Sequence, residues 1–232
     1  NIGDSVGGQI YTLDSSGGAI LTFQVSSGNA AINKPTVANS GDDVISAYVK
    51  LKSGLDVSLD SLASGSLTIS GGLSSGSAGV KTISNVGTGL SVFVISGAIS
   101  NGSSDIAIVQ DSAAGEMTLS GANSFSGGVL LSNGTLNINN ATALGTGPLT
   151  ISGSTTLDSS AADVAMTASN PVAWNGDFAF TGGYNLDLGP CPVTLNANVI
   201  VTANAKNLTV SNTISGAYGI TKAGNGAITL SG

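Results

Sequence analysis

The chain has no histidine and no arginine, and a single cysteine, Cys191, among its 232 residues. Without an imidazole, a serine or cysteine nucleophile lacks its usual base, and one cysteine cannot close an intrachain disulfide. Cys191 sits between Pro190 and Pro192 and reads as a small buried hydrophobe. Six lysines against thirteen acids leave a net charge of −7, which excludes nucleic acid as a partner, because phosphate binding rests on clustered basic charge. No apolar run reaches the ~18 residues of a transmembrane helix. Asn1 opens directly into strand-like sequence, so any export signal is expected to have been removed already. Only 4% of residues are aromatic and 8% charged, so the core has to be built from aliphatic side chains.

Those side chains are Val, Ile, Leu and Ala set singly among Ser, Thr, Asn and Gly, the alternation of half-buried strands. Four segments share the form Gly-x-Φ-Thr-Φ-Ser-Gly, where Φ is aliphatic or Met: GSLTISG at 65–71, GEMTLSG at 115–121, GPLTISG at 147–153 and GAITLSG at 226–232. Two Φ residues one apart share a strand face. The inward pairs are therefore Leu67 and Ile69, Met117 and Leu119, Leu149 and Ile151, and Ile228 and Leu230. The flanking glycines are expected to supply the positive φ or the tight conformations that turn the chain out of the strand. Degenerate copies lie at 81–85, 134–140 and 207–212.

Short strands with polar turns fit a sandwich or a parallel β-solenoid. Internal likeness favours the solenoid, which stacks equivalent strands and tolerates insertions at its corners. Residues 95–121 and 214–232 agree at both ends and differ by an eight-residue insertion, read as a corner loop. At ~20 residues per rung the chain makes about eleven rungs, with the recurrent Asn and Ser placed to form ladders between them.

Residues 115–158 resemble the autotransporter-associated β-strand repeat, also called the passenger-associated transport repeat, of bacterial secreted and surface proteins. The likeness runs in order through Leu119-Ser120-Gly121, Ala122-Asn123, Phe125, Gly127-Gly128, Gly134-Thr135-Leu136, and Ala143 to Leu149. Phe125 stands where the family more often has Tyr, and residues 214–232 resemble the repeat's upstream flank. The resemblance implies an all-β, right-handed parallel β-helix, export across a bacterial envelope, and a stalk or adhesive role; the repeat carries no catalytic residues. The chain is expected to be one solenoid segment over 1–232, with divergent rungs in 1–64 and recognisable repeats in 65–232.

Residues 41–53 admit a short helix, with Ser40 and Asp43 spaced as a capping box, or a strand with Val49 and Leu51 inward and Lys50 and Lys52 outward; the alternation favours the strand. This stretch is also the first candidate for a cap on the coil.

Because many β-helices act on polysaccharides, the acids need weighing. Adjacent Asp42 and Asp43 point to opposite faces of a strand, and Asp56 and Asp60 would lie about 13 Å apart, too far for a glycosidase pair. All four are expected to be solvated surface acids. GLSSG at 72–76 matches the hydrolase elbow pattern but has no base to serve it. No cofactor is expected; calcium would need scattered aspartates and backbone carbonyls. Trp174, Phe178, Phe180 and Tyr184 gather in 170–185 as a lateral contact patch, or else Phe178 and Phe180 point inward on one strand with Trp174 over a corner. Sequons begin at Asn101, Asn133, Asn140 and Asn207. The expected function is a non-enzymatic structural or adhesive segment of a bacterial extracellular protein. The alternatives are a self-assembling fibre subunit and a carbohydrate-binding or polysaccharide-cleaving β-helix. Expected partners are further coils of a longer chain or copies stacked end to end, with glycans or other surface proteins beside them.

Overall fold

A computed structural model of the chain describes residues 12–15, 17–34, 41–59 and 65–232. Among these residues every regular element is a β-strand and every strand pairing is parallel. The chain is a β-solenoid. Two long sheets hold ten and nine strands, and two four-stranded sheets share the third side. Each coil runs from the ten-stranded sheet, along the third side, into the nine-stranded sheet, and then returns. The third side begins as the strands Ile20–Phe23, Tyr48–Leu51, Leu73–Ser75 and Ile99–Gly102, and ends as Val164–Ala165, Leu186–Asp187, Asn207–Val210 and Ala227–Leu230. Between them, at 120–128 and 139–148, it is loop and turn. Both irregular stretches fall inside the segment that carries the family resemblance.

Parallel register stacks like on like. Leu67, Phe93, Met117, Leu136, Leu157, Phe180 and Ala203 occupy one inward row of the ten-stranded sheet, and all are buried. Each full-sized side chain removed from water in such a row contributes roughly 1.5–3 kcal/mol, which lets an aliphatic core serve without many aromatics.

Several expectations need correction. In the ten-stranded sheet, from Val44 onward, a coil takes 19 to 26 residues, as the step from Thr118 to Asn137 and that from Thr68 to Val94 show, so the described strands stack into fewer than eleven rungs. The four seven-residue copies are not equivalent rungs. Those at 65–71 and 115–121 lie in the ten-stranded sheet, that at 147–153 in the nine-stranded sheet, and that at 226–232 on the third side. Any side of a coil needs two inward aliphatics between tight ends, so the pattern marks a strand and not its place. In the long repeat, 95–121 crosses four strands and 214–232 only three, so the difference is a strand with its turn and not a corner insertion.

Leu67, Ile69, Met117, Leu119, Leu149 and Ile151 are buried. Ile228 is half-buried and Leu230 is 53% exposed, because no further strand lies against Ala227–Leu230 on its outer side. The glycines that bracket the copies do not have positive φ. At Gly71 and Gly121 backbone crosses closely, so a methyl would overlap the Ala47 and Gly97 carbonyls, and Gly97, after the strand Val92–Ile95, meets the Gly71 carbonyl in the same way; Gly153 has no such neighbour.

Residues 43–45 and 48–51 are strands, and Val49 and Leu51 are buried. They pair with strands on both sides and so form interior rungs, not a cap. Ser40 lies outside the described residues.

Candidate functional site

Of the two readings of the aromatic cluster, the inward one holds for Phe178 and Phe180, and Trp174 joins them in the core. Trp174 ends the strand Val172–Trp174 of the nine-stranded sheet, in register with Ile151 and Leu195, and is 0% exposed. Phe178 and Phe180 sit on the ten-stranded sheet at 3% and 0%. The Trp174 and Phe178 rings meet edge to face across the interior, with centroids 5.0 Å apart. Trp174 therefore covers no corner, and only Tyr184 of the four is exposed. Tyr48 and Tyr218 are exposed on other coils, and Tyr11 lies outside the described residues.

The acids also separate. Asp42 is outward and accepts from the Ser66 N–H and hydroxyl, both at 2.9 Å; those bonds hold its carboxyl below its ordinary range. Asp43 is not a surface acid: it turns inward at 1% exposure and pairs with the equally buried Lys34 at 3.1 Å. Asp56 accepts from the Asn29 amide at 2.9 Å, and Asp60 is outside the described residues. In the GLSSG segment both serines are buried, and the Ser75 hydroxyl donates to the Ser104 carbonyl at 2.6 Å while accepting from the Ser104 N–H at 2.7 Å. The Cys191 thiol is buried against the Ala168 carbonyl, and burial pushes its pKa up, away from a reactive thiolate. Among the described residues no three of Asp, Glu and Cys group as metal ligands.

What the coils do have is polar ladders from one to the next. Inside, buried Asn85 donates to Gln110 at 2.8 Å; on the exterior Asn101 donates to Ser126 at 2.8 Å, Asn133 to Asp111 at 2.6 Å and Asn196 to Asn175 at 2.8 Å. Asn137 donates to Glu116 and to Thr118, and Asn207 to Thr229 at 3.0 Å. Inside the segment that resembles the repeat, Asn123 stitches the irregular third side by accepting from Ile99 N–H at 2.9 Å and donating to the Ala143 carbonyl at 2.7 Å, above a buried Phe125. In three of the four sequons, those at Asn101, Asn133 and Asn207, the amide nitrogen that a glycan would occupy is already hydrogen-bonded.

The nine-stranded sheet presents a different surface. Its outward row passes Asp56 and Ser84, and from there on, through Val109, Leu130, Thr150, Ala173, Thr194 and Ser215, carries no charge. Pro148, Pro171 and Pro192 stand at the entry of three successive strands, a position where the missing N–H is tolerated. Their carbonyls keep the ladder running: Val129 N–H donates to Pro148, Leu149 to Pro171 and Val172 to Pro192 at 2.8–2.9 Å. No separate signal in the sequence marks this face, because strands of the different sides share one composition.

Comparison of the chain with family models, with curated proteins and with solved structures finds no match.

Proposed function

We propose that the chain is a non-enzymatic, rigid β-solenoid segment of an exported bacterial surface protein, serving as a stalk or adhesive support. The carrying observation is how its polar chemistry is used: candidate nucleophiles and acids are buried, capped or committed to coil-to-coil bonds. Such bonds lock each coil to the next, which suits a load-bearing rod. The likeness of residues 115–158 to the autotransporter-associated repeat supports the exported, bacterial part of the proposal. Half-buried Ile214, Ile220 and Ile228 and exposed Leu230 are to be covered by further coils of a longer chain, or alternatively by a second copy stacked end to end.

Antibodies raised against the purified segment test this on intact cells that express the natural gene. Labelling before permeabilisation is the expected result, together with no turnover in a polysaccharide lyase and hydrolase screen. Labelling only after permeabilisation, or turnover abolished by changing one Asp or Lys, would replace the proposal with the enzyme alternative.

A further inference from the structure

One trough on the exterior gathers several unspent polar groups. On the outer face of the ten-stranded sheet, Thr156, Ala179 and Thr202 stand in register on three adjacent strands. Ser154, Asp177 and Ile200 stand two residues before Thr156, Ala179 and Thr202 and line the same open trough, of about 430 Å³. That volume is within the ~300–1,000 Å³ of small-ligand sites. Ala179 keeps the floor low between two threonines that stand two strand spacings, about 9.6 Å, apart. On much of the exterior the outward Asn and Asp side chains bond between coils. Here the hydroxyls of Ser154, Thr156 and Thr202 make no hydrogen bond to the protein, and Asp177 uses only Oδ1, accepting from the Ile200 N–H at 2.7 Å. Ser154 also has φ of 61°, one of two described non-glycine residues with positive φ, and local strain of this kind persists where the surroundings hold it.

We infer that this trough is a binding site for an uncharged saccharide. Three hydroxyls can each donate and accept, and the second carboxylate oxygen can accept, which matches the alternating donors and acceptors of a polyol. Ile200, 44% exposed, and Ala179 offer an apolar patch for the C–H face of a sugar ring. Asp177, the absence of any lysine in the lining and the net charge of −7 disfavour acidic saccharides. The site goes beyond the support function and does not depend on it, since a stalk without it remains a stalk.

Saturation-transfer NMR on the 232-residue chain tests the site with four neutral probes, namely gluco-, manno-, galacto- and N-acetylglucosamine oligosaccharides, and with oligogalacturonate as the acidic probe. Transfer to at least one neutral probe is expected, with none to oligogalacturonate and no effect of EDTA. Ala179→Leu, which fills the trough, should weaken the signal at least tenfold. Thr156→Val with Thr202→Val, which keeps volume and removes hydroxyls, should do the same while the melting temperature stays within a few degrees. Asp177→Asn, which keeps the Oδ1 acceptor, serves as the third variant if Ala179→Leu disturbs the sheet. No transfer to any neutral probe, preference for the acid, loss with EDTA, or full binding by folded variants would each overturn the inference. None of these results bears on cell-surface labelling.

Discussion

Lys34 and Asp43 meet inside the coil, Nζ to Oδ2 at 3.1 Å, each side chain 1% exposed. The ammonium also donates to the carbonyls of Ser66, at 3.0 Å, and Gly41. Asp43 stands in register with Leu67, and Lys34 with Leu59, so both ions occupy rows that are otherwise apolar. Removing one partner leaves a buried charge unpaired, and Asp43→Ala or Lys34→Met alone should cost about 3–5 kcal/mol in urea unfolding. Asp43→Leu with Lys34→Met continues both rows and should recover most of that loss. Single variants as stable as the parent would show that the pair is open to water.

Backbone contact at the ends of the repeated pattern predicts a contrast between glycines. Gly97→Ala forces a methyl onto the Gly71 carbonyl oxygen and should lower stability by about 1–3 kcal/mol or more, read as a fall in Tm. Gly153→Ala, where the nearest atom would be 3.8 Å away and φ is not positive, should change it by less than about 1 kcal/mol. Equal effects would mean that composition, and not close approach, placed these glycines.

Trp174 is the only tryptophan, so its fluorescence reports the interior directly. Emission should be blue-shifted and resist acrylamide quenching. Trp174→Ala should destabilise by about 3–5 kcal/mol, whereas Trp174→Phe should be milder, because the buried indole N–H has no hydrogen-bond partner to lose. Strong quenching in the native state would restore the surface-patch alternative.

Acid should act through capped surface carboxylates. The Ser66 N–H and hydroxyl lower the pKa of Asp42, and the Asn185 N–H and amide lower that of Asp163. A folded pKa below the unfolded 3.8 stabilises the fold above 3.8 and loses that contribution as pH falls through the folded value. Tm should therefore be flat from neutral pH to about 4 and decline below it, and Asp42→Asn should make the decline shallower. The slope is small because both groups are largely exposed, and an unchanged profile in Asp42→Asn would contradict the capping.

Cys191 gives a clock for opening. It is 0% exposed, and burial holds the thiol protonated. A thiol reagent such as dithiobis-nitrobenzoate should react only at the rate at which the surrounding coils unfold, and at once in denaturant. Immediate native-state reaction would place the thiol at the surface.

How much of this was legible depends on whether a feature is local. Alternation of side chains is local, so Val49 and Leu51 inward with Lys50 and Lys52 outward could be read directly, and likewise Met117 and Leu119. Which sheet a strand joins depends on how many residues its coil spends on the third side, and nothing within GPLTISG or GAITLSG records that number. The Lys34–Asp43 pair was hidden because a lysine and an aspartate nine residues apart look like solvated loop charges until the coil folds them inward. Trp174 was misplaced because an aromatic beside Asn and Gly resembles a loop anchor, and only its register with Ile151 and Leu195 puts it inside. The trough was invisible for the opposite reason: its Thr, Ala and Ser are among the commonest residues of the chain, and only stacking gathers them over one trough.

The interrupted third side gives the molecule a place to change without cost to its frame. The two long sheets keep their pairing through every described coil from Asp43–Ile45 to Ile220–Ala223, while the third side passes from strand to loop and back to strand. Sequence can be lengthened, shortened or rewritten there, as the 9 residues between Leu119 and Val129 and the 13 between Asp158 and Val172 already illustrate, while the neighbours stay aligned. The exposed stretch around Ala161 is thus a grafting port, where a foreign epitope can be carried outward on a scaffold that does not register its presence.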